Sequence, residues 1–260
     1  MRILAVCRDK RYSPNSVDRD LAILRAAAER IGGEVQIVDE NEVDAGTDCD
    51  VCLSMARGEK NLKVLSGMEL RGVKVINSPT GVLACRRSSV EATMRSLGVP
   101  LPPLDGADGF WIKRGDAAAQ TQGEVRYCKD AEELERAKKE FAEKGISDYV
   151  VSAHVVGDLV KWYAVGGDFF RYYYPTDDGK TKFGDEAVNG SASHYRFDVE
   201  ALRAAAGLVA AAIGVSAYGG DAIVRQDGSF CIIDFNDWPS FSRCRDDAAE
   251  AIASVAKSLI

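Results

Sequence analysis

Two carboxylates and a carboxamide stand close together in the stretch GGDAIVRQDGSFCIIDFNDWPSF, residues 219–241. Two alternating apolar runs flank Asp227-Gly228, a dipeptide suited to the positive φ angles of a tight turn. With that pair at the tip, Gln226 faces Ser229, Arg225 faces Phe230 and Ile223 faces Ile232. Asp221 then lies opposite Asp234, and Asn236 shares Asp234's face because side chains alternate along a strand. Like charges directly opposite each other destabilise a sheet, so the pair calls for a cation or a proton between them. Three oxygen donors in one patch suit Mg²⁺ or Mn²⁺. The plainer alternative is two strand-end carboxylates in solvent; against it, CIIDFN puts the acid at the end of an apolar strand and DWPS then breaks it.

Lys113 ends the apolar strand FWIK just before a loop, where an ammonium group can meet phosphate oxygens or simply snorkel to water. The chain has no GxxxxGK[ST] and no GxGxxG, so a nucleotide would need another cradle. Arg8, Arg57, Asn77 and Ser78 all fall just past expected strand ends. They suggest a pocket for an anionic or polar substrate, or equally a set of solvated loop groups. The aromatic run FFRYYYP reads first as sheet surface and core. His194 could serve as a base near neutral pH, although a solvated loop histidine is the plainer reading.

The 260 residues can bury one large core or divide into small lobes, and 46% hydrophobic with 28% charged residues is ordinary for a globular protein. A net charge of −7 with no basic stripe argues against sequence-independent nucleic-acid binding. The opening MRILAVCRDK has too short an apolar run and the wrong flanks for a secretory signal, and no stretch is long enough to span a bilayer, so a cytoplasmic location is expected. Seven scattered cysteines do not form a disulfide framework. Cys49 and Cys52 have CxxC spacing, but they sit in the apolar run DVCLSM and read as buried thiols.

Strands are expected at RILAVC, EVQIVD, DVCLSM and VKVIN, with a helix after the first that bears Leu21, Leu24, Ala28 and Ile31 at helical spacing. Ser16 is its expected cap and Gly32-Gly33 its end. A further helix around residues 61–69 completes the rhythm of a small parallel α/β layer. A helix over residues 87–97 leads into the stiff GVPLPP link. Next come FWIK, a polar loop, EVRYC, a charged helix over 130–144, and DYVVSAHV. The strands LVKWYAV and DFFRYYY follow, then a helix over 198–213, the hairpin, and a last helix over 246–259 with Ile252, Val255, Ala256 and Leu259 on one face.

Taken in order, INSPTGVLACRRSSVEATMRSLGVPLPP, FWIKRGD, YVVSAHVVGDLVKWYAVGG, GGDAIV and CIIDFNDWPSF resemble the ATP-grasp superfamily over nearly the whole chain. The likeness is strongest to the branch of ribosomal-protein glutamate ligase and glutathione synthetase. It implies an α/β (α+β) ATP-grasp fold: an N-terminal parallel α/β lobe over residues 1–98, a small lobe over 99–153, and a large lobe with the metal hairpin over 154–260. The two later lobes would clamp a nucleotide. By this resemblance Lys113 contacts the α- and β-phosphates, Arg87 is a second basic residue, and Lys161 approaches the γ-phosphate with Asp158 near the ribose. Adenine would bind backbone groups of Val151, Ser152, Ala153 and His154. Asp221, Asp234 and Asn236 would hold one or two Mg²⁺ ions, and Arg171, Lys182, Asn189 and His194 would face substrate.

The chain departs from the family where Ala153 replaces a usual hinge Glu, where the loop after Lys113 is poor in glycine, and where Asp234 replaces the commoner Glu. The activity implied is ATP- and Mg²⁺-dependent joining of a small-molecule carboxylate to an amine through an acyl phosphate. Its alternatives are a small-molecule kinase on the same fold and a nucleotide-binding protein without turnover.

Overall fold

A computed structural model describes residues 1–116, 123–178 and 188–260. Lys182 and most of the loop after Lys113 lie outside the described residues.

The first layer is a four-stranded parallel sheet in the order β2-β1-β3-β4, made of β1 (Arg2–Cys7), β2 (Glu34–Asp39), β3 (Val51–Ser54) and β4 (Lys74–Ile76). Helices α1 (Val17–Ile31) and α2 (Glu59–Leu70) connect its strands. Ser16 stands at the N-cap of α1, but the turn is closed by its carbonyl, which accepts from Asp20 N at 2.8 Å, without a side-chain capping bond. Gly32, at φ +82°, ends the helix as expected. Ile23 is buried on this helix and Leu21 is only half-buried, a small rotation of the expected face.

A short helix α3 (Pro79–Ala84), not anticipated from sequence, precedes α4 (Arg87–Ser96). Pro79 presets its first turn and the Ser78 hydroxyl accepts from Gly81 N at 3.0 Å, which lets so short a helix form. The second layer is a three-stranded antiparallel sheet, β6-β5-β7, of β5 (Phe110–Arg114), β6 (Val125–Cys128) and β7 (Tyr149–Ala153). Helix α5 (Ala131–Glu143) covers one face through Leu134, Ala137 and Phe141. The opposite face carries Trp111, Lys113 and Ser152, because these alternate with the covered residues.

The third layer is a four-stranded antiparallel sheet, β11-β10-β8-β9, of β8 (Asp158–Val165), β9 (Phe169–Tyr173), β10 (Ala217–Val224) and β11 (Phe230–Asp237). Helix α6 (Val199–Ile213) packs on one face around Trp162, Ala222, Ile232 and Phe235. Asp198 caps it by accepting from Ala201 N at 3.0 Å, and Gly214, in left-handed conformation, terminates it.

The last helix, α7 (Arg245–Ser258), returns to the first layer. Ala248, Ala249, Ile252, Ala253 and Ala256 are buried in one cluster with Ala27, Ala28 and Ile31 of α1. Small side chains on both helices permit the close approach. Leu259, expected on that face, lies past the helix end and is 44% exposed. Among the described residues no helix is long and apolar enough to cross a membrane.

Candidate active site

Asp221 is paired with Asp234 across β10 and β11, as expected, but the route to that pairing differs. The hairpin tip spans one more residue than a two-residue turn: Arg225 N donates to Ser229 O at 2.8 Å and Gly228 N to Arg225 O at 3.0 Å. Gly228 alone takes a positive φ there, +83°. Pairing therefore runs Val224 with Phe230, Ile223 with Cys231 and Ala222 with Ile232, one step away from the predicted register. A bulge between Asp221 and Ala222 then restores the register, because Ile233 has no opposite number. Two departures cancel, and the carboxylates still meet.

The bulge has a chemical use. The Lys113 ammonium, on the opposing small sheet, donates to the Ile233 carbonyl at 3.0 Å and so crosses the cleft between the two antiparallel sheets. Glycine keeps this wall thin: a Cβ at Gly220 would run into the Asp234 carbonyl oxygen.

Three cations surround the two acids. Lys161 is opposite Asp221 in the β8–β10 ladder and its Nζ lies 3.1 Å from Asp221 Oδ1. Arg87, at the start of α4, places a guanidinium nitrogen 3.5 Å from Asp234 Oδ1 and another 2.6 Å from the Arg114 carbonyl. Asn236 Nδ2 donates to Asp234 Oδ2 at 2.8 Å. Burial opposes ionisation of Asp234, yet Arg87, Lys113, the Asn236 amide and Lys161 together hold its carboxyl below the usual range. Asp221 raises the Lys161 ammonium above its ordinary value against the opposing effect of burial.

Three cations against two carboxylates leave a surplus positive charge, suited to a polyphosphate. Among the described residues no group of three or more His, Cys, Asp or Glu is placed to hold a metal. Here the third oxygen donor is a carboxamide, and two carboxylates with one amide oxygen form the hard donor set that Mg²⁺ takes with water or phosphate completing its shell. The residues present thus fit the ion that the resemblance implies.

Above these groups the cleft continues as two adjoining pockets that share Pro102, Lys113, Ser152 and Ile233. Arg87 and Asp234 line the first; Trp111, His154 and Asn189 line the second. The hinge is partly committed: Ala153 N donates to Pro103 O and His154 N to Gly109 O, each at 2.8 Å. Trp111 Nε1 donates to His154 Nδ1 at 3.1 Å, and burial pushes the His154 pKa down, opposed by Asp108. Trp111 is the residue that sequence reasoning missed. Its position two before Lys113 on one strand was the available signal, since period-two alternation puts both on one face.

Other candidates have different surroundings. Asp158 is buried, with Oδ1 accepting from Ser193 N at 2.7 Å and Oδ2 from Tyr195 N at 2.8 Å, so it anchors that segment. Asn189 accepts from Gly157 N at 3.2 Å and lies toward the hinge end. His194 is exposed beside Asp177 at 3.1 Å, and Arg171 is exposed with a guanidinium nitrogen 3.5 Å from Asp247.

The four strand-end residues are all engaged within the protein. Arg8 donates to the Trp238 carbonyl at 2.5 Å and lies 3.2 Å from Asp20, while Arg57 pairs with Asp237. Buried Asn77 accepts from Ser216 N at 2.7 Å and Ala217 N at 2.8 Å and donates to Ala217 O at 2.7 Å. Ser78 caps α3 and donates to Gly214 O at 3.2 Å. Beside them a carboxylate unnoticed in the sequence, Glu40, is wholly buried and accepts from Asp9 N, Arg57 N, Gly58 N and the Asn61 amide at 2.7 to 3.0 Å.

No protein-family model matches the chain, and no curated protein matches it in sequence. Solved structures do match in fold. The D-alanine–D-alanine ligase from Bacillus anthracis complexed with ATP aligns at a TM-score of 0.65 and 12% identity, covering 100% of this chain and 97% of its own. The VanG D-Ala:D-Ser ligase from Enterococcus faecalis aligns at 0.66 and 13%, covering 99% and 98%. A D-cycloserine synthetase aligns at 0.65 and 16%, covering 99% and 100%. These likenesses bear on the fold and not on the branch named from sequence. A parallel layer and two antiparallel sheets facing each other across a cleft, matched end to end by these ligases, give the chain the ATP-grasp fold.

Proposed function

We propose that this protein is an ATP- and Mg²⁺-dependent ligase that joins a small-molecule carboxylate to an amine through an acyl phosphate. The observation that carries the reading is the convergence of Lys113, Lys161 and Arg87 on the Asp221/Asp234/Asn236 ladder at the mouth of a cleft between two sheets. The three named structures, a D-alanine–D-alanine ligase, a D-Ala:D-Ser ligase and a D-cycloserine synthetase, support the reaction type.

Phosphoryl transfer to a carboxylate demands charge neutralisation and in-line positioning more than a protein nucleophile. Lys113 reaches across the cleft from the small sheet and would neutralise the inner phosphates. Lys161 would face the terminal phosphate and stabilise charge as it moves to the leaving oxygens. Arg87 would hold Asp234 ionised and oriented. Asp221, Asp234 and Asn236 would hold Mg²⁺, which would supply Lewis-acid neutralisation of phosphate charge when bound. The substrate carboxylate would attack the γ-phosphorus, ADP would leave, and the amine would displace phosphate from the acyl carbon while giving up a proton. Arg171 and His194, both solvent-facing, are the proposed substrate contacts. The 1–98, 99–153 and 154–260 division is the proposed domain organisation.

The test is calorimetric titration of ATP and GTP, each with Mg²⁺ or EDTA, followed by an ADP-release screen of carboxylates with and without amines. Metal-dependent ATP binding and ADP release that needs an amine are expected. ADP release with a hydroxyl substrate alone would turn the reading to a kinase, and binding without turnover to a regulatory protein.

A further inference from the structure

The first turn of α4 is fastened to the small sheet. A helix start leaves its first N–H groups without partners inside the helix, and Arg86, at the N-cap of α4, supplies no side-chain bond to them. One of these groups finds its partner in another layer: Ser88 N donates to the Gly115 carbonyl at 3.2 Å, just past the end of β5. The Ser88 hydroxyl lies 2.9 Å from Asp148 Oδ2 and 3.4 Å from Gly115 O, so its single proton goes to the carboxylate. Gly115 N in turn donates to Asp148 O at 2.9 Å, and a Cβ on Gly115 would run into the Asp148 carboxylate. Asp148 thereby joins the start of α4 to the ends of β5 and β7, where the helix dipole also favours an anion.

Arg87 stands one residue before Ser88 and reaches from this knot across the cleft. One guanidinium nitrogen donates to Arg114 O on β5 at 2.6 Å, and another lies 3.5 Å from Asp234 Oδ1 on β11. The second distance is long for a hydrogen bond, so the attraction depends on where the helix start places the guanidinium. Burial opposes ionisation of Asp234, and Arg87 is the strongest of the groups that favour it. Arg86, the preceding residue, runs the other way to Glu59 at 2.7 Å, so a rotation of this turn would carry Arg87 off its target. Lys113 leaves the same end of β5 for the carbonyl of Ile233, the neighbour of Asp234. Two cations thus hold successive residues of β11, and the one on α4 keeps its place only while the helix start is tied down.

We propose that Ser88 and Asp148 are positioning residues for Arg87: by tying the first turn of α4 to the small sheet they set the guanidinium against Asp234, and so govern the affinity of the hairpin site for the divalent ion that accompanies the nucleotide. This inference rests on the metal and nucleotide reading above. Neither side chain lines either pocket of the cleft, so both act through Arg87.

The experiment titrates ATP calorimetrically into the full chain at a series of free Mg²⁺ concentrations, which gives the Mg²⁺ midpoint of ATP binding, and records the melting temperature without nucleotide. Arg87→Met should raise the midpoint roughly 10- to 100-fold, the range for loss of a group that orients a metal ligand. Ser88→Ala and Asp148→Ala should each raise it roughly 2- to 12-fold, the worth of one hydrogen bond. Ser88→Thr, which retains the hydroxyl, and Asp148→Asn, which retains an acceptor, should restore most of it. In the Arg87→Met background Ser88→Ala should add no further change to the midpoint, because its effect passes through the guanidinium.

A parent-like midpoint in Ser88→Ala overturns the proposal, whether or not the melting temperature falls. Equal losses from Ser88→Ala in the parent and in Arg87→Met overturn it too, since the pair would then be a structural clasp. Should one alanine variant fail to fold, the other carries the comparison. A parent whose ATP binding ignores Mg²⁺ overturns the metal reading itself, and this inference with it.

Discussion

Two groups of polar residues in this chain stand at the ends of strands, and they meet opposite fates. At the hairpin, Asp221, Asp234 and Asn236 face a cleft with surplus cationic charge around them. At the ends of the parallel strands, Arg8, Arg57, Asn77 and Ser78 fasten the first layer to the third, Asn77 with three bonds to residues some 140 positions away. The contrast teaches that a polar side chain at a strand end is a ligand candidate only when its partners leave capacity unspent. Asp234 is held ionised by groups that a phosphate would also attract; Asn77 has no comparable freedom.

The contrast breaks if the two groups respond alike to mutation. Asp234→Ala together with Asn236→Ala should abolish metal-dependent ATP binding in calorimetry while the melting temperature stays near the parent's. A double variant that binds Mg²⁺-ATP as the parent does would remove the metal-site reading. Arg57→Ala should do the reverse. It strands Asp237, whose side chain is 2% exposed, as an unpaired buried charge, at a cost of about 3–5 kcal/mol in urea unfolding. Asn77→Ala should cost about 2–3 kcal/mol, because two backbone N–H groups lose their acceptor in a buried site. Lys113→Ala should cost about 1 kcal/mol or less in stability and yet weaken ATP more than tenfold, since one charge-assisted phosphate contact carries roughly 1.5–3 kcal/mol.

The smallest expected effect concerns pH. The folded carboxyl of Asp234 titrates below its unfolded value, so it contributes stability above about pH 4, the unfolded range, and that contribution is lost as pH falls through the folded value. Asp234→Asn should therefore flatten the acid limb of the stability profile measured without nucleotide. An unchanged limb would mean that Arg87, Lys113 and Lys161 do not act on this group.

Most of the layer order was legible. RILAVC and EVQIVD are strands over the residues read from their pattern, and the helix beginning at Arg87 runs to Ser96. The hairpin pairing of Asp221 with Asp234 was legible too, but for an incomplete reason. Alternation alone could not reveal the three-residue tip or the bulge at Ile233, since both insert one residue and together leave the endpoints paired. Trp111 escaped because an aromatic on a strand reads as core until one knows which face α5 covers.

Local chemistry in the sequence determined the strands and helices, through apolar periodicity, Gly32 and Gly214 as helix ends, and Asp198 and Ser78 as caps, because each acts within a few residues along the chain. It also determined the inventory of charged and oxygen-donating groups from which a phosphate and metal site could be built. Only the tertiary structure decided which of them face the cleft and which are spent on fastening. Lys113 meets the Ile233 carbonyl 120 positions later, and Arg57 meets Asp237 180 positions later. Such pairings are set by how three sheets stack and by where buried apolar faces force each polar group to find a partner, and no short-range pattern encodes them.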